Sequence, residues 1–336
     1  MWEIRNNTPF QAQWSAAVDK DGRRRFVVVV KGTFDLLPDG TTALSEDPLE
    51  ITPAPEYNGE PGTSSLRVDA DLVPPKPGTD LHVIGSAIAP QGKPITSMTV
   101  SLKSPAGVKS VQVHGDRRWT RSMVGTVELG FATPFIEMPI VYERAQGGYD
   151  QADGDPTAHR LDPFNPVGTG FFTAEAHKVG ELAPNIEWLQ SSQPGPAGFG
   201  PLCVDWKPRA DYQGTYDAKW VESRRPLLPE DYNPLHRMSA PADQQFHPHL
   251  RGGETIAISG MHADGVVRFT IPKHYFAFST HIGKKAHEHR AKISTVAVFP
   301  NERRATVTWT TSLSCHREFD DIDYTRIREL QYLEPG

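Results

Sequence analysis

The sequence is poor in cysteine. Cys203 and Cys315 are the only two in 336 residues, and neither has a CxxC neighbour. That excludes a disulfide-stapled scaffold, and two isolated cysteines read as neutral thiols of a reducing compartment. Long apolar runs are also missing. The longest, "FVVVV" at residues 26–30, is far short of a membrane span. The opening stretch "MWEIRNNTPFQAQW" has no basic-then-apolar run, so no ordinary secretory signal is expected. Nor does charge of one sign accumulate. The formal net charge is -6, and bases concentrate only in "DGRRRF" (21–26) and "GKKAHEHR" (283–290). Stretches this short do not suit nucleic acid as the primary partner. The expectation is a soluble, cytoplasmic protein with neither membrane nor nucleic acid as its partner.

What the chain has instead is turn residues and alternation. There are 30 prolines and 28 glycines, spread so evenly that long helices are ruled out over most of the length. Between them run period-two segments. "RATVTWTTSL" (304–313) sets Ala305, Val307, Trp309, Thr311 and Leu313 on one face and threonines and a serine on the other, which predicts a half-buried strand. "VVRFTI" (266–271) points Val267, Phe269 and Ile271 one way, and "TSMTVSLK" (96–103) does so with Met98, Val100 and Leu102. "FVVVVKGTFDL" (26–36) begins apolar on both faces, as a central strand would.

The predicted fold is therefore mainly β: two antiparallel lobes, sandwich- or barrel-like, over residues 1–141 and 253–336. Residues 142–252 form a long irregular segment rich in Gly, Pro and aromatics. Short helices are predicted at 215–223 and around 241–246, and 321–330 suits a helix or a terminal strand equally. An irregular stretch of that length is either functional or packed tightly onto the sheets.

Candidate chemistry is sparse. His247 and His249, followed by Glu254, have HxH spacing, as do His287 and His289. A zinc site needs three or four ligands, and no further ligand is readable, so no metal and no cofactor are assigned. Cys203 in "GPLCVDW" has apolar neighbours and reads as a buried, inert thiol. No GxSxG elbow is present. The carboxylate pairs Asp153/Asp155 and Asp320/Asp321 read as solvated, and no catalytic residue is assigned. Glu143 and Arg144 in "YERA", with Arg251 and Glu254 in "LRGGE", are expected to form buried or half-buried ion pairs. The central segment also concentrates Tyr149, Trp188, Phe199, Trp206, Arg209, Tyr212, Tyr216, Trp220 and Arg224. Such residues commonly anchor protein–protein contacts, and these nine are the candidate partner-binding set.

An ordered set of blocks carries a family resemblance: "NNTPF" (6–10), "VVVKGTFDL" (28–36), "YNGEPGTSSLRVDADLVPPKPGTDLHVIGSA" (57–87), "HGDRRW" (114–119), "MPIVYERAQGGYD" (138–150), "NPVGTG" (165–170), "APNIEW" (183–188), "PAGFGPL" (196–202), "PRADYQGTYDAKW" (208–220), "RPLLPEDY" (225–232), "APADQQ" (240–245) and "LRGGE" (250–254). With these the chain resembles a domain-of-unknown-function family of type VI secretion accessory proteins. The likeness covers roughly residues 1–270 and thins beyond. It includes "LRGGE" but not the preceding "FHPH", and the Gln of "YERAQGGYD" stands where an aromatic is expected. The resemblance implies a non-catalytic adaptor or chaperone that binds a secreted effector and helps load it onto a spike component. The alternative is a hydrolase or carbohydrate-acting enzyme using carboxylates or histidines in a central cleft.

Overall fold

The computed structural model describes residues 2–189, 195–315 and 322–330. Asp320 and Asp321 lie outside the described residues, as does the side chain of Cys315. The fold is mainly β and none of its sheets closes into a barrel.

Three larger sheets, with five two-stranded ones beside them, make up the β structure of the described residues. The largest has, in order, Gln245–Phe246, Thr79–Val83, Lys292–Phe299, Arg304–Cys315, Arg24–Leu36 and Gln11–Val18, with Thr42–Leu44 also paired to Arg24–Leu36. Thr79–Val83 runs parallel to Lys292–Phe299, and the other neighbours are antiparallel. A second sheet orders Ile186–Trp188, Gly107–His114, Ser97–Ser104, Thr255–Ser259 and Val267–Thr270. The third orders Glu3–Asn7, Ile322–Leu330, Tyr275–Ile282 and Lys285–Arg290.

The strands themselves lie where alternation places them, but they are not sorted into an N-terminal and a C-terminal lobe. Arg24–Leu36 pairs with Arg304–Cys315, Ser97–Ser104 with Thr255–Ser259, and Glu3–Asn7 with Ile322–Leu330. Each of these three larger sheets thus mixes strands from 1–141 with strands from 253–336. The physical reason is the core. Val28, Val30, Val307 and Trp309 of the first sheet join one continuous cluster with Val100, Val111, Ile258 and Phe269 of the second and Phe276, Phe278 and Ile327 of the third. One shared core buries more apolar surface than two small ones would.

The opposite face of the large sheet is unusual. Val27 and Val29 pack there against Ile51. Beside them the face is polar yet covered: Thr306, Thr308 and Thr310 are all buried, so this strand is buried on both sides instead of half-buried. Segments around 50–52, 69–76 and 239–250 lie against this face and satisfy its polar groups. Lys31 Nζ donates to Asp71 Oδ2 and to the Glu50 carbonyl, each at 2.8 Å, and Thr308 Oγ1 donates to Asp71 Oδ1 at 2.9 Å. Buried charges persist only when paired in this way.

The central segment is stitched to the sheets. It supplies Ile186–Trp188 to one and Gln245–Phe246 to another, and otherwise runs in short bridges and 3-10 turns. Its α-helix, Ala218–Ser223, falls within the predicted 215–223, and a 3-10 turn occupies Ala242–Gln244. The undecided terminal segment is a strand, Ile322–Leu330. Asn165 pins the "YERAQGG" turn: its Nδ2 donates to the carbonyls of Tyr142 at 2.8 Å and Gln146 at 2.9 Å. Gly147 has φ +150°, and a Cβ there would lie 2.3 Å from the Asn165 carbonyl oxygen, so only glycine allows this approach.

Candidate functional site

Two concavities stand out. The first is an apolar groove of about 260 Å³ made wholly by the central segment. Phe164, Trp188, Pro196, Leu202, Pro208 and Pro241 form its walls, with Lys207 and Asp243 at its polar points. Prolines shape it because their fixed φ holds the loops open without helix or sheet. Trp188 sits on a strand end, and its Nε1 donates to the Gly195 carbonyl at 3.1 Å, which fixes the ring. Below it Lys109, on Gly107–His114, donates to Asp243 Oδ1 at 2.9 Å and to Gln244 Oε1 at 2.7 Å. Its ammonium lies 5.0 Å from the Trp188 ring centroid and 5.5 Å from that of Phe199. Burial pulls the Lys109 pKa down to about 8 against the attraction of Asp243. Lys207 is 3.3 Å from Asp211. Both charged groups at the groove therefore have counter-ions within the chain, and the groove favours an uncharged, apolar occupant.

The second concavity, also about 260 Å³, lies over the polar face of the large sheet and is lined in part by Lys31, Asp69, Asp71, His82 and Thr306. Behind it is a charged network. Asp80 is fully buried and accepts from Lys76 Nζ at 2.7 Å and from the backbone N–H of Ser239 at 3.0 Å and Ala240 at 3.1 Å. Burial alone pushes its carboxyl up, but Lys76, His82 and these hydrogen bonds hold it below the usual range. His82 Nε2 is 3.2 Å from Ser239 Oγ. Ser, His and Asp thus meet, but not as a triad: Asp80 binds the serine and the lysine rather than orienting the imidazole from its far nitrogen. Burial lowers the His82 pKa to about 4, so the ring is neutral at pH 7, and Ser239 is fully covered. The chemistry of this network is that of a structural brace.

The candidate partner-binding residues divide. Phe199, Trp206 and Arg209 are buried and belong to the interior, which corrects their assignment to a binding surface. Trp206 meets Tyr142 edge-on at 5.8 Å. Arg209 donates to the His236 carbonyl at 2.9 Å and the Leu202 carbonyl at 2.8 Å and lies 3.4 Å from Asp69. Tyr149 and Tyr216 are exposed; Trp188, Tyr212, Trp220 and Arg224 are half-buried. Trp220 stacks edge-on with Tyr216 at 4.7 Å, and Arg224 donates to the Lys20 carbonyl at 2.7 Å, tying this corner to the hairpin at residue 20. The groove brings together Trp188 alone from the candidate set. Phe164 and the prolines were missed because prolines read as turn punctuation, not as walls.

The expected ion pairs are also rearranged. The Glu143 carboxylate accepts from Ser65 N–H and Ser65 Oγ, each at 2.7 Å. Arg144 is 3.2 Å from Asp116 and donates to Asn185 Oδ1 at 3.1 Å. Arg251 is exposed, and it is its backbone N–H that binds Glu254 Oε1, at 2.9 Å. The buried pair expected of Arg251 is thus replaced by a carboxylate-capped turn, which the glycines at 252 and 253, both with positive φ, make possible. His247 is exposed, whereas His249 is half-buried and its Nε2 lies 3.2 Å from the Lys76 carbonyl. His289 is held between Thr280 Oγ1 and Thr311 Oγ1, at 2.8 Å each. Among the described residues no group of three His, Cys, Asp or Glu side chains could hold a metal ion. Cys203 is buried, and burial pushes its thiol up to about 12. No helix among the described residues is long and apolar enough to cross a membrane.

A family model described as "Uncharacterized protein conserved in bacteria (DUF2169)" matches residues 21–310. The chain belongs to that family. The DUF2169 match runs past residue 270, so the family likeness includes the interior strands Tyr275–Ile282 and Lys292–Phe299 of two of the sheets. The bacterial domain-of-unknown-function part of the resemblance is thereby established; type VI secretion is no part of the DUF2169 description. No curated protein and no solved structure matches the chain.

Proposed function

We propose that this DUF2169 protein is a non-catalytic adaptor that holds another protein by its central groove, and that the held protein is a type VI secretion effector bound for a spike component. The observation that carries the reading is the groove itself, whose apolar walls come only from the irregular segment. A segment of that length packed merely as covering would have no reason to leave such a cavity open. The secretion setting rests on the sequence resemblance alone.

The test is co-expression with the effector encoded beside the gene, followed by capture of the complex. Trp188→Ala and Phe164→Ala, assayed below the melting temperature that each variant shows, should lower capture although the variant remains folded, with Trp188→Ala also losing some stability because its ring packs on the core. Because the groove is apolar and internally neutralised, capture should change little between low and moderate salt. Unaltered capture by both folded variants would move the site elsewhere. Failure to bind the neighbour, together with turnover of an ester or glycan, would replace the adaptor by the hydrolase alternative.

A further inference from the structure

The third sheet turns one face inward and the other out. Phe276, Phe278, Ile282 and Ile327 belong to the core. By the two-residue period of a strand, Ala277, Ser279 and His281 and their register partners point the opposite way. On that outer face the side chains stand in cross-strand rows. One row reads Arg5, Arg326, Ser279, Glu288; the next reads Asn7, Arg328, Ala277, Arg290. The four arginines are exposed, and small residues occupy the centre between them. The turn at Gly283 adds exposed Lys284, from the basic stretch noted in the sequence, whereas Lys285 stands opposite core-facing Ile282. Against these bases the same rows and the adjoining one carry, among the described residues, Glu288 and Glu3, the latter 3.1 Å from Arg5 Nε, and exposed Asp323 precedes Tyr324 in its strand. The face is thus basic on a molecule whose formal net charge is -6.

Tyr324 decides what such a face can take. The Arg5 guanidinium lies 3.8 Å from its ring centroid, and His281 stacks on it at 4.3 Å with 18° between planes. They reach it from the two strands that flank its own. With its ring engaged from both sides, Tyr324 is not left as a platform for a nucleotide base, and Tyr275, which shares this face by the same two-residue period, is half-buried. Arginine forks remain, and these match carboxylates in bidentate geometry.

We propose that the outer face of this sheet binds an extended acidic segment of a partner protein, its carboxylates seated on Arg326, Arg328 and Arg290. The surface shares no residue with the groove, and the proposal stands whether or not the groove holds an effector. The probe is a fluorescein-labelled decaglutamate peptide, followed by anisotropy at low and moderate salt. Wild type should bind it and weaken steeply with salt. Arg326→Glu with Arg328→Glu should weaken binding by at least about tenfold. Arg121→Glu, on an exposed hairpin outside this sheet, should bind as wild type. The glutamine pair Arg326→Gln with Arg328→Gln keeps the test valid if charge reversal disturbs folding, since a folded pair must still lose affinity. Equal binding by folded double variants, equal loss in Arg121→Glu, or no binding by wild type would overturn the proposal. So would displacement of the peptide by lower concentrations of a deoxythymidine decamer, which would mark a nucleic-acid surface.

Discussion

At the scale of single residues, two arginines from similar turn-rich blocks have opposite fates. Arg209 is buried beside Asp69 and holds two carbonyls; Arg251 is exposed. Replacing Arg209 with Ala strands a buried carboxylate and should cost about 3–5 kcal/mol. Arg251→Ala removes only an exposed side chain and should stay within about 0.5 kcal/mol. Urea denaturation of both variants checks the contrast, and a large loss in Arg251→Ala would mean that its side chain has a buried role. The sequence could not separate the two residues. "KPRAD" and "HLRGG" look alike locally, and burial is decided by which distant segment lies above. The same confusion misplaced Phe199 and Trp206, because large aromatics serve cores and interfaces equally well.

At the scale of elements, strands were legible and their partners were not. Alternation found Val267–Thr270, Ser97–Ser104 and Arg304–Cys315 because the period of two is written in neighbouring residues. Pairing is written nowhere locally; it follows from which faces share a core. The loop elements were legible only as turns. What holds the turn at residues 142–146 is Asn165, fully buried, with its amide donating to the carbonyls of Tyr142 and Gln146. Its Oδ1 has no partner among the described residues, so its donor side provides the hold. Asn165→Ala should bare these carbonyls and cost at least about 2 kcal/mol, at roughly 1–3 kcal/mol for each buried group left unpaired. Denaturant midpoints measure this, and a loss near zero would mean that water replaces the amide without penalty.

At the scale of the whole molecule, buried titratable groups set the response to acid. Burial holds both His82 and His289 at about 4, below the ordinary 6.5. Both are therefore neutral in the folded chain, while the unfolded chain takes up protons first as pH falls. Their contribution to stability is complete above pH 6.5 and is lost progressively down to pH 4. Asp150 is also depressed, chiefly by the Thr173 hydroxyl and then by His177 and backbone N–H groups, so its share is lost lower, below the ordinary carboxylate range. The expected result is a free energy of unfolding that is flat in these histidines above pH 6.5 and declines from there to pH 4. His289→Gln, whose amide can still meet Thr280 and Thr311, should show a shallower decline. An unchanged slope in that variant would place the acid sensitivity in other groups.

The interlacing of early and late strands also governs how the chain can be made. Arg24–Leu36 has Gln11–Val18 beside it early, but its main partner on the other side, Arg304–Cys315, follows far later in the chain and is synthesised long after it. Until that strand emerges from the ribosome, a run of four valines waits beside an open, adhesive edge. Pairings across such sequence distances raise contact order and slow folding. Nascent or truncated chains are thus the state of this protein most exposed to aggregation and most in need of a general folding chaperone.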